Sequence, residues 1–182
     1  MKRTLLILLM AIVGVITVSA QKTVSPNKPY STLISTPGYV TINELTAGIG
    51  LGDIVVPYSK SFVGFTTIHA YQIDKNFVIG AGTGASFYNG GTLIPLFLDF
   101  RYRFYISTIT PYLFGDGGFL FSLSDFNNES RIFVNPGMGV RYTISEKIGI
   151  TCGIGYWLQS GGSSYRDSFI NFKLGATFKP KY

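Results

Sequence analysis

The sequence predicts an all-β chain: an eight-stranded antiparallel up-and-down transmembrane β-barrel preceded by a cleaved signal peptide. Three observations carry that prediction. From Gly38 to Tyr182 apolar and polar residues alternate with period two, as strands with unlike faces require. Eight such stretches are separated by turn residues. The charged residues share a face with most of the glycines, which leaves the other face apolar. Residues 92–104 show this most clearly. Thr92, Ile94, Leu96, Leu98, Phe100, Tyr102 and Phe104 fall on one side, and Leu93, Pro95, Phe97, Asp99, Arg101 and Arg103 on the other.

The chain opens with Lys2 and Arg3, continues with an apolar run from Leu5 to Val18, and reaches the small residues Ser19 and Ala20. Residues 1–20 therefore read as a secretory signal peptide, with mature protein beginning at Gln21. The apolar run is short for a membrane helix, which needs about 20 apolar residues, and no later segment supplies one. Any crossing of a membrane must then be by strands. Residues 21–38 are rich in Ser, Thr and Pro without an apolar period and read as an extended periplasmic lead-in. Residues 39–182 form the barrel, with strands expected at about 40–51, 62–73, 77–88, 92–104, 110–123, 131–144, 148–158 and 168–179. Most reach or slightly exceed the roughly 9–11 residues that a tilted strand needs to cross a bilayer. Connections at 74–76, 105–109 and 145–147 are tight, whereas 52–61, 124–130 and 159–167 are longer and polar, as periplasmic turns and outer loops respectively would be. Asn89-Gly90-Gly91 is short where a long loop is due. An even strand count places both termini on the periplasmic side.

Alternation alone also fits a soluble barrel whose apolar residues point inward around a ligand. Composition and the placement of small residues favour the opposite orientation. Charged residues make up 13% of the chain, against about 25% in soluble domains. Glycines collect on the polar face, at Gly48 and Gly50, Gly80, Gly82 and Gly84, Gly137 and Gly139, and Gly149, Gly153 and Gly155, where a crowded interior needs small residues. The other face is large and apolar, as in Ile132, Val134, Met138, Val140, Tyr142 and Ile144, with Tyr and Phe frequent near strand ends as in interfacial girdles. Closure also satisfies every backbone donor and acceptor in hydrocarbon, which an open sheet cannot do.

Glu44, Asp99, Arg101, Arg103, Asp116, Arg131, Arg141 and Lys173 then project into the lumen. An eight-stranded barrel is wide enough only for side chains to fill it. Each ion buried singly costs several kcal/mol, so a closed network of pairs is expected, with Asp99 and Asp116 beside arginines. A narrow charge-selective pathway is the competing reading. His69 is the chain's one histidine and reads as a polar aromatic near the inner rim, its face not assigned by the pattern. The lone Cys152 excludes an internal disulfide and, between Ile150 and Ile154, reads as a small buried apolar group. No Cys–His cluster suggests zinc. Gly80-Ala81-Gly82-Thr83-Gly84 lacks the lysine and the following helix of a phosphate-binding loop. No catalytic set, metal or cofactor is therefore expected. The net charge of +6 falls to +4 without the signal, with 13 basic residues against 9 acidic, and it is too dispersed for a nucleic-acid surface. Asp125, Phe126, Asn127, Tyr165 and Arg166 are the candidates for contact through the outer loops, and Asn128-Glu129-Ser130, a glycosylation-type tripeptide, supports exposure there.

The segments Ile94-Pro95-Leu96-Phe97-Leu98-Asp99-Phe100-Arg101-Tyr102-Arg103-Phe104, Thr110-Pro111-Tyr112-Leu113-Phe114-Gly115 and Asn135-Pro136-Gly137-Met138-Gly139-Val140-Arg141-Tyr142 resemble the small Gram-negative outer-membrane β-barrel family, of OmpA/OmpX-like or PorT-like type. The resemblance covers about 39–182 and implies a non-enzymatic integral outer-membrane protein with an envelope-structural or surface-interaction role. Its implied partners are outer-membrane lipid and the barrel assembly machinery, which reads a terminal aromatic such as Phe178 or Tyr182. Outer-membrane lipid A deacylases are similar in outline and carry a lipid-facing His-x-Ser pair, but Tyr71 stands here where the serine would be.

Overall fold

The computed structural model describes residues 36–51, 60–104, 108–123, 130–145, 147–161 and 166–180. The signal peptide, most of the lead-in, and Asp125, Phe126, Asn127, Tyr165 and Tyr182 lie outside them. Eight strands follow in order: β1 (Gly38–Gly50), β2 (Ser61–Gln72), β3 (Phe77–Tyr88), β4 (Gly91–Arg103), β5 (Ile109–Ser122), β6 (Arg131–Thr143), β7 (Ile148–Gly161) and β8 (Arg166–Phe178). Each pairs antiparallel with its sequence neighbour, and β8 returns to β1, so the sheet closes with no edge. The expected strands are all present. Most ends differ by one or two residues, and β7 runs three residues further than its polar tail suggests.

Closure fixes a steep tilt. Hydrogen-bonding partners followed from Gly38 pass through Gln72, Val78, Arg101, Phe114, Gly137, Gly155 and Asn171 and re-enter β1 at Gly48, ten residues further along. Such a shear tilts strands by roughly 35–45°. A 13-residue strand such as β4 then spans about 30 Å, the thickness of a hydrocarbon core. β1 begins and β8 ends at the same end of the barrel, since Thr41 pairs with Phe178. The tight turns lie there too. Asp74 organises the first, its Oδ1 accepting from the backbone N–H of Asn76 and of Phe77, both at 2.7 Å. This is an Asx turn, which offers the backbone a substitute for the missing ladder bonds. The opposite, long-loop end carries one short connection, between Tyr88 and Gly91.

Inward and outward positions alternate along every strand, and the apolar face is the outer one. Leu96, Leu98, Phe100 and Tyr102 are exposed on β4 while Leu93, Phe97, Asp99, Arg101 and Arg103 are buried. The short-turn end carries an outward ring of Tyr71, Tyr102, Phe104, Tyr142 and Phe178. Aliphatic residues such as Leu45, Val63, Met138 and Leu174 occupy the belt beyond it. An aliphatic belt with an aromatic rim matches a hydrocarbon layer and its interface. Cys152 belongs to this outer wall. The expectation of a small group buried in protein packing is therefore corrected: its parity with Ile150 and Ile154 turns it away from the lumen.

Inward glycines let the walls approach. A Cβ at Gly84 would stand 2.0 Å from the Phe65 carbonyl oxygen on β2, and one at Gly118 would stand 2.1 Å from that of Leu96 on β4. Neither backbone atom can move without opening the ladder. The sequence pattern placed glycine inside for lack of room, and the contacts supply that reason.

Candidate functional site

The lumen is filled in tiers. Nearest the long loops, Phe62, Tyr88, Phe97, Phe133, Trp157 and Phe169 project inward from six strands. Trp157 stacks on Phe133 with centroids 4.2 Å apart, and Phe62 lies 5.0 Å from Tyr88, 5.3 Å from Trp157 and 5.4 Å from Phe169. A polar lid joins this plug. The Tyr88 hydroxyl and the Trp157 indole N–H both donate to Gln159 Oε1 at 3.2 Å. Gln159 Nε2 donates to Asp167 at 3.3 Å, and Arg131 pairs with the same carboxylate at 3.2 Å.

Below the plug lies a chain of ions contributed by β1, β4, β5 and β8. Arg101 binds both carboxylate oxygens of Asp99 at 2.9–3.0 Å and reaches Glu44 at 2.9 Å. Lys173 continues from Glu44, at 3.1 Å, to Asp116, at 2.5 Å. Asn135 Nδ2 donates to Asp116 at 2.9 Å, and the Lys173 ammonium sits 4.5 Å above the Phe114 ring. Each carboxylate is thus held by a cation, which offsets part of the cost of burying it. Gly155 makes room beside them. A Cβ there would meet the amide oxygens of Asn135 and Asn171 at 2.5 and 2.6 Å.

Arg103 and Arg141 occupy the third tier, at the short-turn end. Both are buried, and among the described residues neither has a carboxylate within ion-pair distance.

Of the expected lumen charges, all eight face inward. Three points of the expected network are corrected. Asp116 is paired with lysine rather than arginine, because β8 lies opposite it across the lumen. Arg103 and Arg141 stand outside the network. Aromatic packing fills most of the long-loop third beside the Arg131–Asp167 pair, a layer that the expected network of ion pairs and hydrogen bonds did not include. Arg166 is also corrected, from loop residue to first residue of β8, paired with Ser160. His69 points outward near the short-turn rim, where its Nδ1 hydrogen-bonds the Tyr39 hydroxyl, itself an acceptor from Thr41 at 3.2 Å.

No protein-family model and no curated protein matches the chain. Several solved structures do match. Neisserial surface protein A superposes with a TM-score of 0.54 at 15% identity, over 80% of this chain and 99% of its own. OprG from Pseudomonas aeruginosa gives 0.53 at 9% identity, over 81% and 98%. The outer membrane enzyme PagL gives 0.52 at 12% identity, over 76% and 99%. The fold is that of the small outer-membrane barrels. At these identities the likeness extends to the fold alone, and the packing within the lumen is argued from this chain's own residues.

The plug predicts its own test. Trp157→Ala removes the ring that touches both Phe62 and Phe133, and large-to-small changes of this kind cost about 3–5 kcal/mol. Urea unfolding from micelles should show that loss. Planar-bilayer recordings should also show conductance in the variant where the parent shows none.

Proposed function

We propose that the chain is a non-enzymatic integral protein of the outer membrane with an envelope-structural or surface-interaction role, exercised through its long-loop end. The observation that carries this reading is the combination of an apolar outer wall with a lumen packed by Trp157 and its neighbours. Such a barrel offers water only its two ends, and the long-loop end has the larger connections. Contact residues there are Asp125, Phe126, Asn127 and Tyr165, with Arg166 at the exposed base of the last hairpin. Lipid is the solvent of the wall. The assembly machinery is the proposed reader of the last strand, with Phe178 supplying an outward aromatic at its end.

Cysteine labelling on intact cells tests this placement. In a Cys152→Ser background, Phe126→Cys should react with a membrane-impermeant maleimide, whereas Lys75→Cys in a short turn should react only after the outer membrane is permeabilised. Reversed accessibility, or recovery of the protein in the soluble periplasmic fraction, would sink the proposal.

One observation favours a second reading. His69 faces the lipid side with two hydroxyls, Tyr39 and Thr41, in its hydrogen-bonded chain. This is the placement of a group able to work on lipid. Since His69 lies near the short-turn rim, the lipid within its reach is phospholipid of the periplasmic leaflet, and hydrolysis of phospholipid that disappears in His69→Ala would establish that reading. A folded protein without such activity would remove it.

A further inference from the structure

The buried charges of the described strands are five cations and four carboxylates. Every one of those carboxylates is engaged by Arg101, Lys173 or Arg131. Arg103 and Arg141 are 4% and 3% exposed, yet Arg103 Nη1 and both Nε and Nη1 of Arg141 have no hydrogen-bond partner among the described residues. An unmatched buried guanidinium is costly, and two that repel one another are more so. The same place holds a third cation and a neutral donor. Lys179 follows β8 at this mouth and hydrogen-bonds Thr36 and, at 3.4 Å, the Gln72 side-chain oxygen. Burial, and then the positive field of Arg103 and Arg141, lowers its pKa. The Thr143 hydroxyl, buried two residues from Arg141 on the same face of β6, likewise has no hydrogen-bond partner among the described residues. Gly149 completes the arrangement. A Cβ there would lie 2.5 Å from Arg141 Nε, so the missing side chain is what lets the guanidinium lie across β7.

We infer that the short-turn mouth of the barrel is a binding site for one phosphate-type oxyanion, held by Arg103, Arg141 and the Thr143 hydroxyl, with the Lys179 charge adding to the positive field there. The forked N–H groups of arginine suit tetrahedral oxyanions, and a charge-assisted bond to each would satisfy the donors that the described residues leave open. The site is separated from the long-loop end by the ion chain and the aromatic plug, so its ligand arrives from the short-turn side. That ligand is either free phosphate or the phosphate of a lipid headgroup at the rim.

The test uses the mature chain folded in a maltoside detergent free of phosphate, with inorganic phosphate as the first probe. Calorimetric titration should saturate at one site, and phosphate should raise the unfolding midpoint relative to chloride at equal ionic strength. The double change Arg103→Gln and Arg141→Gln should weaken binding at least tenfold and abolish the midpoint shift. Arg131→Gln, at the other end, should leave both unchanged. Thr143→Val keeps every charge, so a severalfold loss there reads the site even if the double variant fails to fold. The second probe is a short-chain phosphatidic acid. Response to it alone, lost in the double variant or in Thr143→Val, assigns the site to a lipid headgroup, whereas response to inorganic phosphate assigns it to the free anion. Failure of both probes overturns the inference, as does binding that survives unchanged in these variants.

Discussion

Lys173→Met should destabilise the folded barrel by about 3–5 kcal/mol, the usual cost of removing one partner from a buried ion pair. The size follows from what Lys173 holds. It is the cation of Asp116, at 2.5 Å, and shares Glu44 with Arg101. Without it Asp116 has no cation, only the neutral amide of Asn135 and the neighbouring Asp99 carboxyl, in a lumen where water cannot replace the ammonium. Adding Asp116→Asn should recover a substantial part of the loss, because the remaining carboxylates of the ion chain, Glu44 and Asp99, both retain Arg101. Urea titrations of the parent, the single variant and the double variant, in the same micelles, measure this directly. An equal loss in single and double variants would show that the pair contributes packing rather than charge compensation.

The second large effect lies on the outer face. Leu96→Arg places a guanidinium on the middle of β4, facing the apolar belt, where an arginine costs about 2–4 kcal/mol. Since Phe97 and Leu98 beside it alternate faces, no one-residue slip can hide the charge without turning Asp99 and Arg101 outward. The folded band of unboiled protein should be lost or severely reduced. Leu96→Phe should fold normally, because a larger apolar group meets only fluid chains. The same enlargement at Leu93, which is fully buried against the aromatic plug, should overpack it and cost about 1–3 kcal/mol. Tolerance at Leu93 with sensitivity at Leu96 would invert the two faces.

Strand positions were legible because alternation is a local property: each residue's parity reports its face without knowledge of its partners. This is why residues 92–104 could be sorted by face from the sequence. Partners across the lumen were not legible in the same way. Lys173 meets Glu44 and Asp116 at separations of 129 and 57 residues, distances that only closure and the ten-residue shear bring together. The aromatic plug was missed for a different reason. Phe62, Tyr88, Trp157 and Phe169 lie in the long-loop parts of their strands, where aromatics read as an interfacial girdle. Their parity held the correction. Tyr88 shares a face with Gly84, Trp157 with Gly155, and Phe169 with Lys173, all assigned inward. Arg166 was read as loop because Ser and Gly dominate the preceding residues and mask the buried Asp167 that starts the alternation of β8. The mouth cluster was half visible. Arg103 and Arg141 were placed inside, but the absence of a nearby carboxylate among the described residues is a property of register, which the sequence does not display.

The measurement that bears most directly on the closed, lipid-facing barrel is gel mobility of the mature protein folded in detergent micelles, run with and without boiling and after limited proteolysis. The expected result is a faster unboiled band that shifts on heating, with cleavage confined to the long connections around 52–59, 124–129 and 162–165. Identical mobility before and after boiling, in a protein fully soluble in plain buffer, would contradict the barrel's orientation and place its apolar face inside.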